Sequence, residues 1–112
     1  MKVIIAGGRN YVITPEDMKK LDCVNISQVV SGGATGADYY GEQYASSRGL
    51  PCKVFRADWR NQGKAAGPIR NKEMALYADA VVLFPGGRGT ESMRKEARNG
   101  GLDIFDFTLK YQ

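Results

Sequence analysis

Apolar residues along this chain fall into short runs separated by longer stretches of mixed character. Residues 3–6, 28–31, 52–55, 80–84 and 102–105 read as five strands. The first, Val3-Ile4-Ile5-Ala6, does not alternate apolar with polar positions, as expected of a strand buried on both faces. Helix signals lie between the strands. Thr14-Pro15-Glu16-Asp17 supplies a hydroxyl cap, a proline for the first turn and acids at the positive end of the dipole, for a short helix to about Leu21. Thr35-Gly36-Ala37-Asp38 resembles a capping box and opens a helix to about Ser47, ended by Gly49 and Pro51. Gly67-Pro68 begins a helix through about Ala78, with Arg70 and Asn71 in its first turn. Thr90 begins another through Asn99, stopped by Gly100-Gly101. Residues 56–66 are expected to form a long basic loop, and a short polar tail follows the last strand. Strict alternation of strand and helix implies one α/β domain over residues 1–112, with a mostly parallel sheet and helices on both faces.

Three of the strands run directly into glycine. Gly7-Gly8-Arg9 follows the first, Gly32-Gly33-Ala34-Thr35-Gly36 follows Ser31 of the second, and Pro85-Gly86-Gly87-Arg88-Gly89-Thr90 follows the fourth. In a parallel sheet ligands bind beyond the carboxyl ends of the strands, where all three turns fall. Bare backbone amides there, with a helix N-terminus behind them, suit a phosphate. The alternative for each turn is that glycine only supplies a positive φ.

Other residues near these turns carry candidate chemistry. Arg9 either meets a phosphate or extends into water. In Ala57-Asp58-Trp59, the only tryptophan can stack on a base and Asp58 can accept from ribose hydroxyls; the alternative is a loop anchored by a partly buried indole. Arg70 can fork onto a phosphate or carboxylate and Asn71 can read a base or sugar edge, or Arg70 can pair with Glu73 on the surface.

Composition narrows the chemistry. The chain has no histidine, which removes Ser-His-Asp and Cys-His schemes and makes a zinc site improbable. Acid–base work would fall to carboxylates, with Asp38, Asp58 and Glu91 the candidates. Cys23 and Cys52 are far apart and read as buried free thiols. Neither a signal sequence nor a membrane span is expected, so a cytoplasmic location follows by default. The net charge is +4, and residues 53–72 hold Lys53, Arg56, Arg60, Lys64, Arg70 and Lys72 against Asp58 and no other acid. That stretch is either a solvated face or a positive rim that attracts an anion or nucleic acid.

Taken in order, Gly-Gly-Arg, Ser-Gly-Gly-Ala-Thr-Gly-Ala-Asp, Ala-Asp-Trp, Ala-Gly-Pro-Ile-Arg-Asn and Pro-Gly-Gly-x-Gly-Thr resemble the YspA-like branch of the SLOG superfamily. That superfamily includes the Lonely Guy phosphoribohydrolases. The likeness spans roughly Met1 to Asp106. It implies a Rossmann-like fold that binds nucleotides or nucleotide-derived molecules, with roles in sensing or processing NAD- or ADP-ribose-like signals, often in phage conflict. Arg70 with Met74 fits the arginine-methionine pattern of those enzymes. Their Pro-Gly-Gly-x-Gly-Thr-x-x-Glu motif ends in a catalytic glutamate, where this chain has Met93, preceded by Ser92. Glu91 lies about 200° around the helix from Met93, on a different face.

The expectation is therefore a binder of a phosphorylated nucleotide derivative, a sensor or sequestering protein, acting as a homo-oligomer without a cofactor or metal. Gly7, Gly8, Ser31 to Gly36, Pro85 to Gly87, Gly89 and Thr90 would hold phosphate, Arg70 would neutralise it, and Asp38, Asp58, Trp59 or Asn71 would read sugar and base. An N-glycosidic hydrolase is the alternative, and nucleic-acid binding a further one.

Overall fold

A computed structural model of the chain describes residues 1–108; the end of the polar tail, residues 109–112, lies outside the described residues. Five strands, β1 (Lys2–Ala6), β2 (Gln28–Ser31), β3 (Cys52–Val54), β4 (Ala80–Leu83) and β5 (Asp103–Asp106), form one sheet. Every pairing is parallel and the order is β3-β2-β1-β4-β5. The helices are α1 (Pro15–Asp22), α2 (Ala37–Ser47), α3 (Trp59–Gln62), α4 (Ala66–Tyr77) and α5 (Arg88–Asn99).

Side chains of the central strands point alternately to two cores. Val3, Ile5, Val29, Val82 and Phe84 pack with Leu21 of α1 and with Tyr44 and Ala45 of α2. Ile4, Val30, Val81 and Leu83 pack with Met74 and Ala75 of α4 and with Met93 and Ala97 of α5. The result is a Rossmann-like three-layer α/β fold, with helices on both faces of the sheet. From β1 the chain moves outward through β2 to β3, then returns to β4 on the other side of β1. The loops leaving β1 and β4 diverge there and open a crevice.

Local chemistry explains most boundaries. Thr14 and Asp17 make a reciprocal capping box, Asp17 N–H to Thr14 Oγ1 at 3.1 Å and Thr14 N–H to Asp17 Oδ2 at 3.1 Å. The expected box at Thr35 and Asp38 does not form. Gly36 is the N-cap of α2, at φ +72°, and makes no side-chain cap bond. Thr35 Oγ1 donates instead to Arg9 O at 3.3 Å, and Asp38 Oδ2 accepts from Ala34 N–H at 3.1 Å. The loop expected at 56–66 is largely helical: Asp58 caps α3, and Gly63–Ala65 forms a 3-10 turn. Since α4 starts at Ala66, Arg70 and Asn71 sit in its second turn, not its first.

Both cysteines are free, but neither is buried: Cys23 is exposed at the end of α1 and Cys52 is half-buried on edge strand β3. No helix among the described residues is long and apolar enough to cross a membrane. The described residues hold no cluster of three metal-ligating side chains.

Candidate functional site

A cleft of about 650 Å³ opens at the crevice, bounded by the end of β1 and the turn after it, the start of α2, α3 with the 3-10 turn, α4, and the first turns of α5. Its floor is the first glycine turn. Gly8 donates its N–H to Pro85 O at 2.9 Å and accepts at its carbonyl from Ala37 N–H at 3.1 Å. This one residue therefore ties the start of α2 to the turn before α5. Glycine is required on both sides of it. A Cβ on Gly86 would lie 2.6 Å from Gly8 N, and a Cβ on Gly36 would run into Gly8 O.

The three glycine turns differ in what they leave open. In the second, Ser31 Oγ donates to Glu42 Oε2 at 2.7 Å and accepts from Gly33 N–H at 3.1 Å. Gly32 O accepts from Arg70 Nη1 at 2.6 Å. Many of its polar groups are thus engaged by the protein; Ala34 and Asp38 line the cleft, whereas Ser31, Gly32, Gly33, Thr35 and Gly36 do not. The third turn is open. Helix α5 has no side-chain cap, and no described residue accepts from the amides of Gly87, Arg88, Gly89 or Thr90. All four residues line the cleft, while Pro85 and Gly86 lie behind it. Thr90 is 4% exposed, and its Oγ1 is buried without a hydrogen-bond partner among the described residues. A buried hydroxyl left unpaired costs about 1–3 kcal/mol. That hydroxyl packs against Gly86 at the back of the turn, while the uncapped amides and the dipole of α5 leave donors at this end of the cleft that can meet an anion.

Arg70 is wired into the wall rather than exposed. Its Nη1 holds Gly32 O, and its Nε donates to Asn71 Oδ1 at 2.9 Å. Asn71, 4% exposed, passes the link to α5 through Nδ2 to Ser92 Oγ at 3.1 Å. Asn71 is thus engaged at both ends, and Glu73 is not a partner of Arg70. Burial pulls the Arg70 guanidinium below its ordinary range, with the Asp38 charge opposing. Burial pushes the Asp38 carboxyl up, countered by the Ala34 amide and by Arg70.

The structure separates the three candidate acids. Asp58 accepts from Asn61 N–H at 3.2 Å and from Asn61 Nδ2 at 2.9 Å, so it is a helix cap. Glu91 pairs with Arg94 at 3.2 Å on the outer face of α5. Neither lines the cleft. Asp38 does, as the sole carboxylate among Arg9, Lys64, Arg70 and Arg88. Trp59 is half exposed and lies over Gly67, where a Cβ would come within 3.1 Å of the indole. Met74 also lines the cleft.

Residues 1–62 match the model of a family described as YspA, cpYpsA-related SLOG. The chain belongs to the YspA, cpYpsA-related SLOG family. It is also 38% identical over 87 residues to the gene 61 protein of Mycobacterium phage D29, a match spanning 70% of each chain. No solved structure matches it.

In this SLOG domain the matched span carries the first two glycine turns, Asp38 and Trp59. The half of the cleft built by α4 and α5 lies beyond it. Sequence reading did not assign Ala6, Lys64, Gly67, Pro68, Arg88, Ser92 or Met93 to the site, yet all line it. Ser92 and Met93 carried a usable signal: from Gly89 and Thr90, helical spacing of three returns to the same face. Lys64 reaches the cleft because the supposed loop folds into α3 and the 3-10 turn.

Proposed function

We propose that this chain binds a phosphorylated, nucleotide-derived small molecule in the cleft, as a sensor or sequestering protein. The observation that carries this reading is the unpartnered Thr90 hydroxyl beside four uncapped amides of α5. Phosphate oxygens accept from such a cradle, and Arg9, Lys64 and Arg88 at the rim add an attractive field. The indole of Trp59, which lies over Gly67 and lines the cleft, offers a stacking face. NAD- or ADP-ribose-like molecules and cyclic nucleotides fit this division into anion and base.

Family membership supports a nucleotide-related ligand, and the phage relative is consistent with a role in phage biology. Turnover is a second reading, favoured by one observation: Asp38 is a buried carboxylate facing the cleft. Against it, the buried Met93 stands where the related enzymes place a glutamate, and a thioether neither activates water nor stabilises a developing cation.

The test is a thermal-shift panel of mono-, di- and cyclic nucleotides and ADP-ribose derivatives, with chromatography for released base. A ligand at 100 times its dissociation constant adds about 2.7 kcal/mol, a melting shift on the order of 10 °C for a domain this size. No shift above buffer across the panel overturns the binding reading. Base release that Asp38→Asn abolishes replaces it with the hydrolase.

A further inference from the structure

Asp38 and Arg70 stand side by side in the cleft without forming an ion pair, and each keeps capacity that the protein does not fill. A Cβ placed on Gly32 would lie 2.8 Å from Asp38 Oδ2 and 2.7 Å from Arg70 Nη1, so the two side chains converge over that residue. Their bonds nevertheless point elsewhere. Asp38 Oδ2 takes the Ala34 amide, and no described residue donates to Oδ1. Arg70 directs Nη1 to Gly32 O and Nε to Asn71 Oδ1, and no described acceptor takes Nη2. Asp38 is 9% exposed, so its carboxylate is held largely out of water beside an open cavity.

We infer that Asp38 and Arg70 together clamp the vicinal hydroxyls of a ribose, making the cleft selective for ribo- over deoxyribo-ligands; this rests on the nucleotide reading above. The chemistry narrows the choice. A second phosphate at this point would meet the Asp38 carboxylate, and an ammonium would meet Arg70. A neutral group that both donates and accepts satisfies the two at once. The 2′-hydroxyl of the ribose donates to Asp38 Oδ1 while the 3′-hydroxyl accepts from Arg70 Nη2.

Position selects the sugar over the base. Gly8 is hydrogen-bonded both to Ala37, the residue before Asp38, and to Pro85 in the turn that precedes Thr90. The diol clamp and the anion cradle therefore flank one residue, and the part of a nucleotide adjoining its phosphate is the ribose. Asn71 is a positioning residue here, since it fixes Arg70 through Nε and is itself fixed by Ser92.

The experiment is calorimetric titration of the full chain with four probes and inorganic phosphate. The probes are AMP, 2′-deoxy-AMP, ribose 5-phosphate and 2-deoxyribose 5-phosphate, the last two free of any base preference. Wild type is expected to bind each ribo-probe about 10-fold or more tightly than its deoxy partner, as for a lost hydrogen bond to a charged group. Asp38→Asn is expected to shrink that ratio to about 3-fold or less, with deoxy-probe and phosphate affinities little changed. Equal binding of ribo- and deoxy-probes by wild type overturns the clamp while leaving the nucleotide reading standing. Equal weakening of both by Asp38→Asn does the same. No binding of any probe, phosphate included, overturns both. Should Asp38→Asn fail to fold, the wild-type ratio alone decides.

Discussion

Replacing Thr90 by valine separates the two roles a buried hydroxyl can have. The side chain is 4% exposed and Oγ1 has no hydrogen-bond partner among the described residues, so in the free protein it is a desolvated polar atom. Valine keeps the β-branched shape and removes that atom. An unsatisfied buried group costs about 1–3 kcal/mol, so Thr90→Val is expected to stabilise the free domain by about 1 kcal/mol, or about 4 °C in melting temperature. Ligand affinity is expected to move the other way. A hydrogen bond to a charged group contributes about 1.5–3 kcal/mol, which makes binding roughly 10- to 100-fold weaker. Thr90→Ser retains the hydroxyl and is expected to keep affinity within a few-fold. Paired denaturation and titration of the three proteins give both numbers. A variant that is less stable yet binds normally would refute the reasoning, because the hydroxyl would then be serving the fold.

Gly36→Ala is expected to abolish folding or shift Gly8, since φ is +72° and the new Cβ would collide with Gly8 O; circular dichroism and solubility report it. Arg70→Ala strands Gly32 O and Asn71 Oδ1 and is expected to cost about 1–3 kcal/mol of stability as well as affinity. Arg88→Ala, on the exposed rim, is expected to stay within about 0.5 kcal/mol in denaturant melts, and equal losses would refute a specific role for Arg70. Asp22 is held down from 3.8 to about 2, chiefly by hydrogen bonds from Arg48 and then from Tyr44. Its contribution is complete above the unfolded value and is lost as pH falls towards 2. Asp22→Asn is therefore expected to flatten the stability profile between about pH 4 and pH 2, and an unchanged acid limb would count against the pairing.

The central strands β1 and β4 were legible because they carry unbroken apolar runs, and the glycine turns that follow them lie at the cleft. The chemistry within those turns was not. Ser-Gly-Gly-Ala-Thr-Gly reads as a phosphate loop, but Glu42, eleven residues from Ser31, engages its hydroxyl, and Arg70 takes the Gly32 carbonyl across the sheet's end. Asp58 and Glu91 stood beside Asp38 as candidate acids, with Glu91 already on a different helix face from Met93. Only three-dimensional placement assigns the first to a cap and the second to Arg94. The capping box at Thr35 does not form because both of its side chains are used elsewhere, Thr35 Oγ1 on Arg9 O and Asp38 Oδ2 on the Ala34 amide. The helical turn at 59–62 was hidden within a basic stretch that lacks an apolar stripe.

Trp59 gives the protein an optical consequence. It is the chain's only tryptophan, it is half exposed, and it forms one wall of the cleft. A base stacked on it would exchange water for an aromatic face, so tryptophan emission is expected to shift as the cleft fills. Association can thus be followed in real time on unlabelled protein, at concentrations below those calorimetry requires. The same ring lies on α3, whose residues are all at least partly exposed. A ligand that moved this helix would therefore alter the molecular surface directly.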